Sequence, residues 1–526
     1  MKTLTTIFVF LFSFTLTLHA QDFTVASGKT LTIAKSGSLT VGGAFSNSGT
    51  VTLNSDSNEF AVIIVQGTSS GNITYERHVA DEGSNEWDYI GSPVASQDLQ
   101  TLIDNNSSLA TNGSQVAIGA FDNSAGDTAA LMYTNYSTTG NSGTTITSGQ
   151  GFAMATDEGS TTATVDFTGT INTSDVTFAI DDESSSNTNN GKFNLVSNPF
   201  PTYIAFNAAA VSASGATEAF LTINATTNDN LHNSYAGLWG YDGDGTFTEK
   251  NASSAGAIYI APGQGFFVAA DASTNLSFNE AMQTTSGSDD FISGDTMDDS
   301  YEVLLRLYHG DQVIEDARLF FMEELTLGLD IAYDMGDFNY NAALMTRLVE
   351  EDEGYGMAIN AMSTEDMDDV VIPLEINQTA GQEFKINLHT STIGEINIYL
   401  EDTELQTLTL LNEEDFAMTP TSDLSDAGRF YIHLTADTLS GEEVNTSLLN
   451  AYKGVDNNYI TIEGLATQTT STEVSLYNIL GTSVMDTTLD NTTNTQMIST
   501  NGLSTGIYVL KLVSGQDQLT KKLIIK

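Results

Sequence analysis

Apolar residues along this chain fall in short alternating runs, and few stretches keep a helical period. In 22–75 the pairs Leu31/Ile33, Leu39/Val41 and Val51/Leu53 recur between Gly, Ser and Asn turns, at the roughly 8 to 12-residue rhythm of short strands. Each run is too short to bury its own face, so a core forms only if the runs stack. The pattern predicts a short parallel β-solenoid or a small β-sandwich over 21–75. From 301 to 442 the chain becomes richer in Leu, Ile and acids. YEVLLRLYHG, DARLFFME, EFKINL, INIYLED and RFYIHL read as strands of an antiparallel β-sandwich, with a short helix near 341–349. The intervening 286–300, SGSDDFISGDTMDDS, has the composition of an acidic linker.

Residues 76–285 carry a degenerate duplication. NEWDYIGSPVASQ, ALMYTNY and SGQGFAMAT are answered in order by GKFNLVSNPFPTY, AGLWGYDGDGTF and PGQGFFVAA. Pro93 and Pro199 are 106 residues apart, and Gly149 and Gly263 are 114 apart, a difference the size of a loop insertion. Two copies of one β-module, about 76–170 and 190–285, are therefore expected. The GQGF elements lack the Lys and Ser/Thr that a phosphate loop needs and are followed by apolar strands. They read as glycine-permitted turns into strands whose Phe enters the core.

The last stretch, 448–526, alternates again. Val474, Leu476, Tyr477, Ile479 and Leu480 end at Gly481; Leu503, Ile507, Val509 and Leu512 alternate around Gly506 and Tyr508; LTKKLIIK closes the chain. Three or four short strands follow from this. The order of an apolar strand ending in Gly481, a strand containing Leu503, Gly506 and Tyr508, and a final strand with Lys521, Lys522 and Lys526 resembles the type A C-terminal sorting domain of the type IX secretion system of Gram-negative bacteria. The resemblance implies an Ig-like β-sandwich, passage through the outer membrane, handling by the type IX and attachment machinery, and a final place on the cell surface or outside the cell. GLDIAYDMGDF at 328–338 resembles a segment found in domains that precede such sorting domains.

The N-terminus is consistent with that route: Lys2, an apolar 4–18 and His19-Ala20 read as a signal peptide over 1–20, too short to remain as a membrane span. The expected architecture is an all-β multidomain chain: solenoid-like rungs, duplicated module, β-sandwich and sorting domain.

Composition narrows the function. The 526 residues carry a formal charge of −52 and no cysteine. Five Lys against six acids make 448–526 nearly neutral, so the acidity lies in the rest. Such a field repels nucleic acids and anionic lipid, and no thiol chemistry is available. The five histidines beyond the signal peptide, His78, His232, His309, His389 and His433, form no HExxH and no i, i+4 pair, as a zinc hydrolase would require. Gly67, Ser69 and Gly71 match G-x-S-x-G, but a strand rather than the helix of an esterase elbow follows.

Candidate binding residues are few. Trp87 and Trp239, the only tryptophans, stack on a sugar ring if exposed and are core if buried. Asp242, Asp244 and Glu249 in YDGDGTFTEK, alternating with Gly, are candidates to wrap Ca²⁺, although the EF-hand glycine position holds Phe247 and a plain turn between strands accounts for them. Asp330, Asp334, Asp337 and Glu353 form a second acidic group, read either as a cation site or as a solvated face. No cofactor other than Ca²⁺ is suggested. Repeated β-modules without a chemical constellation point to a noncatalytic protein in adhesion, glycan or matrix contact; the alternative is a secreted glycan-active hydrolase using an Asp/Glu pair.

Overall fold

Rungs of the N-terminal region stack in parallel in the computed structural model, which describes residues 22–80, 87–126, 132–157, 163–188, 190–241, 247–254, 256–287, 301–339, 342–425, 427–436, 449–453, 459–478, 481–515 and 517–525. The expected signal peptide and most of the expected linker lie outside the described residues. Phe23–Val25, Phe45–Asn47 and Ser69–Ser70 form one stack, Thr30–Ile33, Thr50–Asn54 and Ile73–His78 a second, and Ser38–Val41 with Val62–Val65 a third. Like residues lie over like: Leu31 over Val51, Ile33 over Leu53 and Phe23 over Phe45. The corners depend on glycine. Gly71 has φ +80, and a Cβ there would lie 1.9 Å from the Asn47 carbonyl oxygen of the rung before it, so no larger residue fits. This is a short parallel solenoid.

Strand Ile73–His78 crosses the expected 75/76 boundary and serves both sides. On one edge it is a solenoid rung; on the other it pairs antiparallel with Thr164–Gly169. One core therefore runs from Val25 to Ile171.

Two lobes follow, the first sharing this core through Ile90, Ile118 and Phe152. In the first, a sheet runs Thr111–Asn112, Gln115–Phe121, Gly151–Met154, Asp88–Gly91, with Tyr133–Ser137 paired to Gln115–Phe121. The helix Leu99–Asn105 is capped by Asp98, which accepts from the Thr101 amide at 2.8 Å. In the second, the order is Phe193–Ser197, Gly265–Ala269, Leu238–Tyr241, Phe247–Lys250. The lobes interlock through their GQGF turns. Ile90 bridges to Gln264 and Val196 bridges to Gln150; the Gly91 amide donates to Gly263 O at 2.9 Å, and the Ser197 amide to Gly149 O at 2.8 Å. Gly149 and Gly263 have φ +92 and +67, and Phe152 and Phe266 behind them are buried.

Residues 301–436 form one large sheet rather than two flat ones. Its eleven strands curl around a single core that includes Leu305, Leu319, Ile372, Leu400 and Ile432. Most pairs are antiparallel, but Gln312–Met322 and Met357–Ser363 run parallel. The helix expected near 341–349 is replaced by the strand Leu344–Thr346. All three of its residues are buried between two neighbouring strands, and that tertiary burial overrides the local helical pattern. The C-terminal module is a sandwich: Asn450–Lys453, Tyr459–Glu463 and Gln496–Ser499 face Ser483–Leu489, Thr472–Asn478, Gly506–Ser514 and Asp517–Ile525 across one apolar core. No helix among the described residues is long and apolar enough to cross a membrane.

Candidate functional site

Strand register explains where an opening can form. In an antiparallel sheet, residues directly opposite one another share a face. Across the first lobe the row Asn135, Gly119, Ala153, Tyr89 lies on one face, with Tyr133 and Phe121 as the next pair. Across the second lobe the row is Leu195, Phe267, Trp239, Glu249, followed by Tyr241 and Phe247. Small residues at Gly119 and Ala153 leave a hollow between large rings. The result is a cavity of about 790 Å³ spanning both lobes.

Its walls are mostly aromatic. Trp87, Tyr89, Phe121 and Tyr133 come from the first lobe, Phe193, Tyr241, Phe247 and Phe267 from the second, and Phe338 from the large-sheet domain. The rings support one another at 4.5 to 6.3 Å between centroids, as in Phe247–Phe338 at 4.5 Å and Tyr89–Tyr133 at 6.3 Å, the usual range for packed aromatics. Gln115, Thr134, Asn135 and Asn190 supply amide and hydroxyl groups at the wall. No charged side chain lines it among the described residues. The Tyr133 hydroxyl donates to the Tyr89 hydroxyl at 2.8 Å. Burial pushes the Tyr89 phenol up to about 12 and also raises that of Tyr133, so both remain neutral in ordinary media.

The two tryptophans have separated. Trp87 is half-buried and lines the cavity. Trp239 shares the face but is fully buried, because Phe338 and Phe193 cover it at 5.7 and 5.2 Å; it braces the wall from behind and presents no ring to a ligand. Sequence reading missed Phe338, which belongs to the GLDIAYDMGDF segment and reaches the site only through tertiary packing.

Of the acidic candidates, the structure brings Glu249 and Asp337 near one another and sets Asp330 and Asp334 on backbone amides. Asp242 and Asp244 lie outside the described residues. The flanking strands Leu238–Tyr241 and Phe247–Lys250 pair antiparallel, with Glu249 opposite Trp239. Burial raises Glu315 to about 8 and Asp337 well above the usual carboxylate range, and repulsion among Glu249, Glu315 and Asp337 adds to both. Asp334 fastens backbone instead, accepting from the Ala361 amide at 2.7 Å and the Asp330 amide at 2.6 Å. Asp330 accepts from Thr326 N at 2.7 Å. Among the described residues, no group of three or more His, Asp or Glu is placed to hold a metal ion. Ser69 of the G-x-S-x-G match lies in a solenoid rung, four residues before the strand Ile73–His78 begins.

In the C-terminal module Gly481 takes φ +75 at the turn after Thr472–Asn478. Leu503 packs on the core. Gly506 opens the strand Gly506–Ser514, and Tyr508 is buried with its hydroxyl donating to Ser504 O at 2.7 Å. Lys521 is buried, Lys522 is exposed, and Lys526 lies outside the described residues.

Two family models match. One described as a secretion system C-terminal sorting domain covers residues 456–526, and one described as a domain of unknown function (DUF8693) covers residues 9–434, running unbroken across solenoid, lobes and large sheet. No curated protein matches the chain.

Proposed function

The chain belongs, over most of its length, to the family described as a domain of unknown function (DUF8693) and ends in a type IX secretion sorting domain that directs export to the surface or the extracellular space; from that premise we propose that it is a displayed, noncatalytic binding protein whose ligand is a neutral glycan held in the aromatic cavity. The observation that carries this reading is an uncharged, ring-lined cavity in a protein of charge −52. Faces of pyranose rings present C–H groups that pack on aromatic rings, and their hydroxyls match amide and phenol partners such as Asn135, Asn190 and Tyr89. A cation is drawn to aromatic faces but finds no carboxylate partner among the described lining residues, and an anionic ligand is repelled by the surrounding field. An Asp/Glu pair, as the rival hydrolase needs, is not among the described lining residues.

The lobes are best read as copies of one unit that have exchanged turns. The bridges Ile90–Gln264 and Val196–Gln150 are equivalent under the repeat, because Ile90 corresponds to Val196 at the 106-residue offset and Gln150 to Gln264 at the 114-residue offset. Such an exchange makes both copies contribute to the cavity walls.

Titration with neutral polysaccharides, followed by tryptophan fluorescence and by reducing-end release, tests the assignment. Binding without turnover is expected, weakened about tenfold in Trp87→Ala by loss of one stacking face. If no neutral glycan binds, or if Trp87→Ala binds like the parent, the cavity assignment is wrong; turnover abolished by one carboxylate substitution favours the hydrolase.

A further inference from the structure

The sorting module is seated on the large-sheet domain, and the contact covers part of the lysine-bearing final strand. Lys521 is 6% exposed. Its ammonium donates to Asn450 Oδ1 within the module at 2.9 Å and to the carbonyl of Val349 in the body at 3.4 Å. Next to it Lys522 pairs with Glu351 at 2.7 Å. The guanidinium of Arg347, itself paired with Asp352 and Glu375 at 3.2 and 3.0 Å, lies 4.3 Å over the ring of Tyr452 in the module. Asn494 donates to Gly428 O at 2.8 Å. Four contacts, three of them involving a cation, define a specific seat. A buried lysine whose proton affinity is lowered by desolvation fits a site closed to water.

We propose that the body segment 347–352 is a docking seat for this chain's own sorting module, and that in the docked state Lys521 is withheld from any external reader while Lys522, still exposed, is tied to Glu351 at the rim. The second half rests on the resemblance that places these lysines in the sorting signal. Recognition by the secretion machinery then requires the module to leave the body, or to be read before the body folds beneath it. In either case, weakening the seat favours export, whereas removing a lysine from the signal opposes it.

The chain has no cysteine, so two can be introduced cleanly. In the full chain carrying Glu351→Cys and Lys522→Cys, a short bismaleimide is expected to link the two positions. Gln406→Cys with Lys522→Cys, the former on another exposed edge, is expected to give no link. Failure of the first pair to link overturns the docking seat. Export is then followed by pulse-chase in a cell with a type IX system. Glu351→Arg, an exposed substitution that places like charges together, is expected to speed appearance at the surface by up to about fivefold, the range of a surface ion pair, while Lys521→Ala lowers it. Unchanged kinetics in Glu351→Arg overturn the masking. A link together with normal export of Lys521→Ala leaves the seat standing but removes this lysine from the signal, so that masking and seat fail separately.

Discussion

Replacing Arg347 by Met tests what the charged cluster under the sorting module contributes. The arginine side chain is 5% exposed and Asp352 beside it is fully buried. Methionine keeps much of the chain length but removes every donor. Two carboxylates, Asp352 and Glu375, lose their cation, and Glu375 already adds to the repulsion that raises Asp337. Breaking a buried pair by deleting one partner costs about 3–5 kcal/mol, because the remaining charge is left uncompensated. The stacking on Tyr452 is a smaller part, up to about 2 kcal/mol for a desolvated contact. For a domain of this size that loss corresponds to a fall in Tm of about 10 °C or more. Calorimetry of the full chain is the suitable assay, since several domains need not melt together. The triple variant Arg347→Met, Asp352→Asn, Glu375→Gln removes the orphaned charges and is expected to recover most of the loss. A single variant melting within about 2 °C of the parent, or a triple variant no better than the single, would refute the electrostatic account.

Three further outcomes are expected. Gly91→Ala places a Cβ 1.9 Å from Ser197 Oγ and 2.4 Å from Gln150 O, so the turn exchange must distort; a loss of about 1–3 kcal/mol or more is expected by denaturant titration, with the surface substitution Gly113→Ala, which meets nothing within 4 Å, as the strain-only comparison. Asp334 is raised to about 7, chiefly by burial; an unfolded chain loses that proton near pH 4, so stability from this group falls as pH climbs from 4 to 7, by up to about 4 kcal/mol. Melting curves of Asp334→Asn across that range should show a flatter decline than those of the parent. Tyr133→Phe removes the donor to Tyr89 without emptying the wall, and glycan affinity should drop less than in Trp87→Ala, by about fivefold or under for one hydrogen bond.

Much of this protein is legible in its sequence because strand periodicity is local. The alternating pairs of 22–75 predicted stacked rungs or a small sandwich, since runs that short cannot bury a face alone, and the linked Gly481, Leu503, Gly506, Tyr508 and lysine positions identified the sorting module. The charge of −52 restricted partners before any coordinates. What one-dimensional pattern could not supply was which faces meet. Trp87 and Trp239 look alike in sequence; Phe193 and Phe338, the latter from another domain, bury one and leave the other at the cavity. Leu344–Thr346 looks helical by itself and becomes a strand between two neighbours. Lys521 shows in the sequence only as a lysine of the sorting pattern, and its burial comes from the body packed against it. Local pattern fixes the period of each element, but burial is decided by contacts between residues tens to hundreds of positions apart, and the cavity and the docking seat both consist of such contacts.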